Sequence, residues 1–88
     1  MHTENALQQQ LAELIAQIAE TGRARGMTQV QIARAAGLAD ETLSRAKRNP
    51  NIGLMHFARL AAVVGLKPTL LPDDPVIEKI HRGGLFEP

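Results

Sequence analysis

From Glu4 to about Arg25, the apolar residues Leu7, Leu11, Leu14, Ile15 and Ile18 recur at steps of four, three, one and three. That spacing is one stripe of an amphipathic helix, and Gln8, Gln9, Glu13, Gln17 and Glu20 fall outside it. Thr3 or Asn5 is placed to cap its start. Gly26, with Arg23 and Arg25 in the last turn, suits its end. Thr28-Gln29-Val30-Gln31 then has the form of a capping box, in which the Thr28 hydroxyl accepts from the N–H of Gln31 and the Gln31 side chain reaches back. It predicts a short second helix to Ala36, with Ile32, Ala33 and Ala36 facing inward. Gly37 follows at the position where a left-handed conformation costs glycine little, and Leu38 is the apolar plug after the turn.

A third short helix is predicted from about Asp40 to Lys47. Leu43 and Ala46, three apart, face in, while Glu41, Arg45 and Arg48 lie outward with Thr42 beside them. Asn49-Pro50-Asn51 breaks the chain. The next stripe, Leu54, Phe57, Leu60, Ala61 and Val64, predicts the buried face of a helix over about 54–64, ended by Gly65. Lys67-Pro68-Thr69-Leu70-Leu71-Pro72 is too short and too bounded by proline for a helix, and reads as an extended edge segment. Asp74-Pro75 suits the cap and first turn of a last short helix carrying Val76, Ile77 and Ile80, with Gly83 as its stop. The expected fold is all-α: about five helices and one candidate strand, without internal repeats or low-complexity tracts.

Composition narrows the function. The 88 residues leave room for one small domain, and 44% hydrophobic with 22% charged residues is globular rather than disordered or fibrous. With no Cys, disulfide frameworks, zinc ribbons and thiol catalysis are excluded. No apolar run approaches the roughly 18 residues of a membrane span. The first ten residues lack the basic-then-apolar order of a signal peptide, so a cytoplasmic location is expected. Phe57 and Phe86 are the only aromatics, which argues against a single-strand binder built on stacked rings.

The net charge of +1 conceals a division along the chain. Residues 1–22 carry Glu4, Glu13 and Glu20 and no basic residue, a net −3. Residues 23–59 set Arg23, Arg25, Arg34, Arg45, Lys47, Arg48 and Arg59 against Asp40 and Glu41, a net +5. Residues 60–88 come to −1. A polyanion would meet the middle of the chain; a merely solvated helix face would carry the same cluster.

Catalytic signals are weak. Ser44-Arg45-Ala46-Lys47 matches Ser-x-x-Lys, but the companion motifs of penicillin-recognising enzymes are absent. His2, His56 and His81 have no metal-ligand spacing, and no glycine-rich phosphate loop is present. An enzyme, a metal site and a cofactor are therefore not expected.

Two short helices joined by Ala36-Gly37-Leu38-Ala39, the second with a polar outer face, form a helix-turn-helix pattern. Met27-Thr28-Gln29-Val30-Gln31-Ile32-Ala33-Arg34-Ala35-Ala36-Gly37-Leu38, followed by Leu43-Ser44-Arg45-Ala46, resembles the phage lambda repressor/Cro-like (XRE) family. Arg59 to Leu66 is similar to that family's fourth helix and its end, so the resemblance spans roughly residues 14–66. It implies a helical bundle over residues 1–66 that binds double-stranded DNA as a homodimer, with the helix at about 40–47 in the major groove. It places Asp40, Glu41, Thr42 and Arg45 at base-reading positions. Thr28, Gln29, Lys47, Arg48, Asn49 and Asn51 are the expected backbone contacts.

Two departures bear on that expectation. The family often has Ser, Thr or Asn where this chain has Ala39, which makes Asp40 the candidate cap of the third helix. Asp40 and Glu41 are acidic on a surface meant for DNA; they either accept from a cytosine amine or cap the helix and pair with Arg45. Where the tail over residues 67–88 begins, the run Leu66-Lys67-Pro68-Thr69-Leu70-Leu71 resembles the short strand that follows the helices in HipB-like and HigA-like antitoxins, where a second copy would supply its pairing partner; the alternative is an irregular tail folding over its own domain. The expected function is a dimeric transcriptional repressor. The alternative is an antitoxin that holds a toxin protein and autoregulates its operon, with the apolar stripe of the long first helix as a partner surface or a dimer seam.

Overall fold

The computed structural model describes residues 2–72. Among them are four helices and no strand: α1 (His2–Ala24), α2 (Gln29–Ala35), α3 (Thr42–Arg48) and α4 (Leu54–Val63). The helix predicted from Asp74 lies outside the described residues. The edge segment Lys67–Pro72 is irregular in the single chain, with Leu70 and Leu71 almost fully exposed. Among the described residues no neighbouring strand supplies the ladder that would make it β.

Three of the helices end in the same way. Gly26, Gly37 and Gly65 have φ of 82°, 77° and 81°. The residue after each glycine donates its N–H back to a carbonyl five positions earlier: Met27 to Gly22, Leu38 to Ala33 and Leu66 to Ala61, at 2.8, 2.9 and 2.8 Å. These are Schellman ends, in which a left-handed glycine lets the chain reverse and plants an apolar residue on the bundle. Met27, Leu38 and Leu66 all pack against the core. A Cβ at Gly37 meets only the Arg59 guanidinium, at 3.8 Å, so the restriction there is conformational rather than steric. Gly37→Ala is accordingly expected to cost about 1 kcal/mol, measured by chemical denaturation; an unchanged midpoint would show that the turn adapts.

The core takes its large side chains from all four helices. Ile15 and Ile18 of α1, Ile32 of α2, Leu43 of α3 and Leu60 of α4 are wholly or almost wholly buried, as is Val64 just after α4. Burial of each is worth about 1.5–3 kcal/mol relative to exposure. Ala33, Ala46 and Ala61 are buried beside them. Gly22 marks a close approach inside α1. A Cβ there would overlap Ile32 Cδ1 and lie 3.1 Å from Val64 Cγ1, so α1 rests directly on the side chains of its neighbours.

Three expectations need correction. Thr3 and Asn5 lie within α1, which already includes His2, so neither caps its start. The α1 stripe is only half used: Ile15 and Ile18 are buried, but Leu7, Leu11 and Leu14 are 53%, 46% and 42% exposed. The reason is length. At 1.5 Å per residue the 23-residue α1 runs to about 35 Å, while α2, α3 and α4 have 7, 7 and 10 residues and cover only its C-terminal half. Leu54, predicted buried, is 85% exposed, because it opens α4 nearly two turns before the part that meets the core through Leu60 and Ala61.

Candidate nucleic-acid interface

The helix that matters most is fixed from behind. Leu43 and Ala46, the inward pair of α3, are both 0% exposed, and α3 packs on both α1 and α2. With that edge seated, the intervening residues must point away from the bundle. Arg45, Lys47 and Arg48 are exposed, and Thr42 is half-exposed. All three cations lie in the last turn of α3, where the helix dipole favours positive charge.

The start of α3 differs from the expected one. The helix begins at Thr42 rather than Asp40; Glu41 occupies the capping position but its side chain makes no cap hydrogen bond. Asp40 does not cap either. Both its carboxylate oxygens accept from Arg34 of α2: Nε donates to Oδ1 at 2.8 Å and Nη2 to Oδ2 at 2.9 Å. The hydrogen bond from Arg34 holds the Asp40 carboxyl below its ordinary value of 3.8, and the Arg34 charge adds to this while desolvation opposes it. Asp40 therefore pairs with Arg34 and not with Arg45. Arg34 is the site residue that sequence reasoning missed: a separation of six across a turn matches no helical spacing.

Because folding depresses the Asp40 pKa, its contribution to stability is present above the unfolded value and lost as pH falls through the folded one. Asp40→Asn should therefore lower the melting temperature slightly at neutral pH, and the difference should vanish as the pH falls through the depressed folded value. The effect is small and weakened by salt, since the two side chains are 68% and 48% exposed. A difference between the two proteins that persists at the acid end would rule out the ion pair as its source.

Glu41 and Arg45 form the expected pair only loosely, at 3.8 Å with both side chains mostly in solvent. Such an i,i+4 pair is worth about 0.2–0.5 kcal/mol, less than a bidentate contact to guanine at about 1–3 kcal/mol. Arg45 is free to leave Glu41 for a better acceptor.

All the predicted backbone-contacting residues except Arg48 divide between two shallow depressions beside α3. One, of about 390 Å³, brings Thr28 and Gln29 at the start of α2 together with Lys47 of α3, against Ala16, Ala19 and Glu20 of α1. The Thr28 hydroxyl accepts from Gln31 N at 3.1 Å and Gln31 Oε1 accepts from Thr28 N at 2.9 Å, so the capping box is formed and Thr28 is held in place. The other depression, of about 370 Å³, joins Thr42, Arg45 and Asn49 of α3 and its end to Asn51 and His56. Asn49 Oδ1 accepts from Asn51 N at 3.3 Å, which fixes the turn into α4. His56 is exposed. Arg48 borders neither depression, and its side chain extends into solvent. Among the described residues no group of acidic, His or Cys side chains could hold a metal ion, and no helix is long and apolar enough to cross a membrane.

Comparison with protein-family models, with curated proteins and with solved structures finds no match to this chain.

Proposed function

We propose that this protein binds double-stranded DNA sequence-specifically, as a dimeric transcriptional repressor, with α2 and α3 as a helix-turn-helix in a lambda-repressor-like bundle. The observation that carries the reading is the two-sidedness of α3. Its inner edge, Leu43 and Ala46, is wholly buried, while Arg45 and Arg48 project from the outer one and Lys47, one turn after Leu43, is exposed at the border with α1 and the start of α2. A short helix held so firmly can present side chains to a groove without paying to order itself.

In this reading Arg45 donates two hydrogen bonds to guanine O6 and N7, Thr42 meets a thymine methyl or a phosphate, and Glu41 accepts from a cytosine amine. Lys47 and Arg48 neutralise phosphates. Thr28, Gln29, Asn49 and Asn51 add neutral contacts on either side of α3. Two copies would double these contacts on an inverted repeat, and the segment after Leu66, which pairs with no strand among the described residues, would pair across the two-fold axis. Pro68 removes one donor and keeps that pairing short.

Selection of bound duplexes from a random pool tests the proposal directly. Enrichment of an inverted repeat is the expected result; a pool that stays random after repeated rounds would reject it. A second reading, an antitoxin that also holds a toxin protein, is favoured by one observation: Leu7, Leu11 and Leu14 remain exposed along α1. Co-expression with a protein partner that covers this stripe and protects it from solvent exchange would support it.

A further inference from the structure

We infer that Arg34 and Asp40 act as a positioning pair: they brace the turn between α2 and α3 and so set how α3 presents Thr42 and Arg45. The inference rests on the DNA-binding reading and deepens it, giving Asp40 a structural role at the site in place of the base-reading one expected from the sequence.

Three observations converge. First, α3 starts without help from a side-chain cap: Ala39 has no polar side-chain atom, and Glu41 supplies no cap bond. Second, the backbone bonds of the turn fall into two separate groups. Gly37 N–H and Leu38 N–H donate to Arg34 and Ala33 at the end of α2, and Thr42 N–H donates to Ala39 before α3. None joins one group to the other; the Arg34–Asp40 pair does, across six positions. Third, the contact is bidentate, and a planar guanidinium meeting both carboxylate oxygens fixes direction as well as distance, which a lysine ammonium would not. The pair also neutralises an acid that would otherwise face the phosphates. Asp40 serves best by being turned toward α2.

The test uses the full chain and the variants R34Q, R34K, D40N, R34Q/D40N and the swap R34D/D40R. Amide exchange is read at Thr42 and Leu38 without DNA, and preference is read across duplexes randomised at each half-site position. The expected result is several-fold faster exchange at Thr42 in R34Q and D40N. Both should lose preference for the selected duplex in the same pattern, with the double variant no worse than either single one and the swap recovering toward the parent. R34K should resemble R34Q, since charge alone does not restore the fork. The inference is overturned if D40N alters preference at one base pair while R34Q does not, because Asp40 would then be reading that base. It is also overturned if Thr42 exchange is unchanged in both single variants. If the parent chain selects no duplex, the DNA-binding reading falls by itself, and the exchange measurements alone decide whether the pair braces the turn.

Discussion

Leu43→Ala is expected to lower the unfolding free energy by about 2–5 kcal/mol, the range for a leucine truncated in a core that relaxes only partly. Leu43 is 0% exposed and belongs to the cluster formed with Ile15, Ile18, Ile32 and Leu60. It is also the larger of the two buried residues of α3, the other being Ala46, so nothing else on this seven-residue helix can compensate. A helix this short has little stability of its own, and most of what it has comes from packing its inner edge. Small domains have total stabilities of about 5–15 kcal/mol, so the loss would leave a marginal protein. Urea denaturation compares it with Thr42→Ala, which changes the outer side of the same helix and should shift the midpoint far less. A loss under about 1 kcal/mol for Leu43→Ala would mean that α3 is not anchored as described. Arg45 would then lack the anchor on which its outward display depends, and α3 could not serve as a preformed reading helix.

The same residues show what a sequence can and cannot reveal. The course of α2 is local and was legible: Thr28 and Gln31 form the predicted box, and Gly37 with Leu38 makes the predicted end. The inward faces of α2 and α3 followed from spacing, and Ile32, Ala33, Leu43 and Ala46 are all fully buried. The start of α3 was not legible, because Asp40 is drawn away by Arg34, a partner set by how the turn folds rather than by helical period. Leu7, Leu11, Leu14 and Leu54 carry the right spacing for burial and are exposed for a reason that spacing cannot express: among the described residues no neighbouring helix extends far enough to cover them. Gly22 went unrecognised as a close contact, although a glycine inside a strong helical pattern is itself a signal that a side chain has no room. For the candidate interface, residue types were legible from charge and order, but the division of Thr28, Gln29 and Lys47 from Thr42, Arg45, Asn49 and Asn51 emerged only from the packing of α3.

Salt should separate the DNA reading from its rival by the largest margin. If Lys47 and Arg48 each neutralise a phosphate, a dimer makes four such contacts, and the logarithm of the binding constant falls with the logarithm of salt at a slope of about −3.6. Between 50 and 200 mM salt that is roughly a hundred-fold loss of affinity. Arg48→Gln and Lys47→Gln should each flatten the slope by about 1 per contact removed while weakening all sequences alike, and Gln29→Ala should weaken them alike with little change of slope. Arg45→Ala should behave differently, costing about 1–3 kcal/mol on the selected duplex and relaxing preference at one base pair of each half-site. An interface made by Leu7, Leu11 and Leu14 on an apolar partner has no counterions to release, so it would hold or tighten as salt rises. Binding that is insensitive to salt, or an Arg45→Ala variant with undiminished preference, would therefore remove α3 from the role given to it, whatever the fold beneath it.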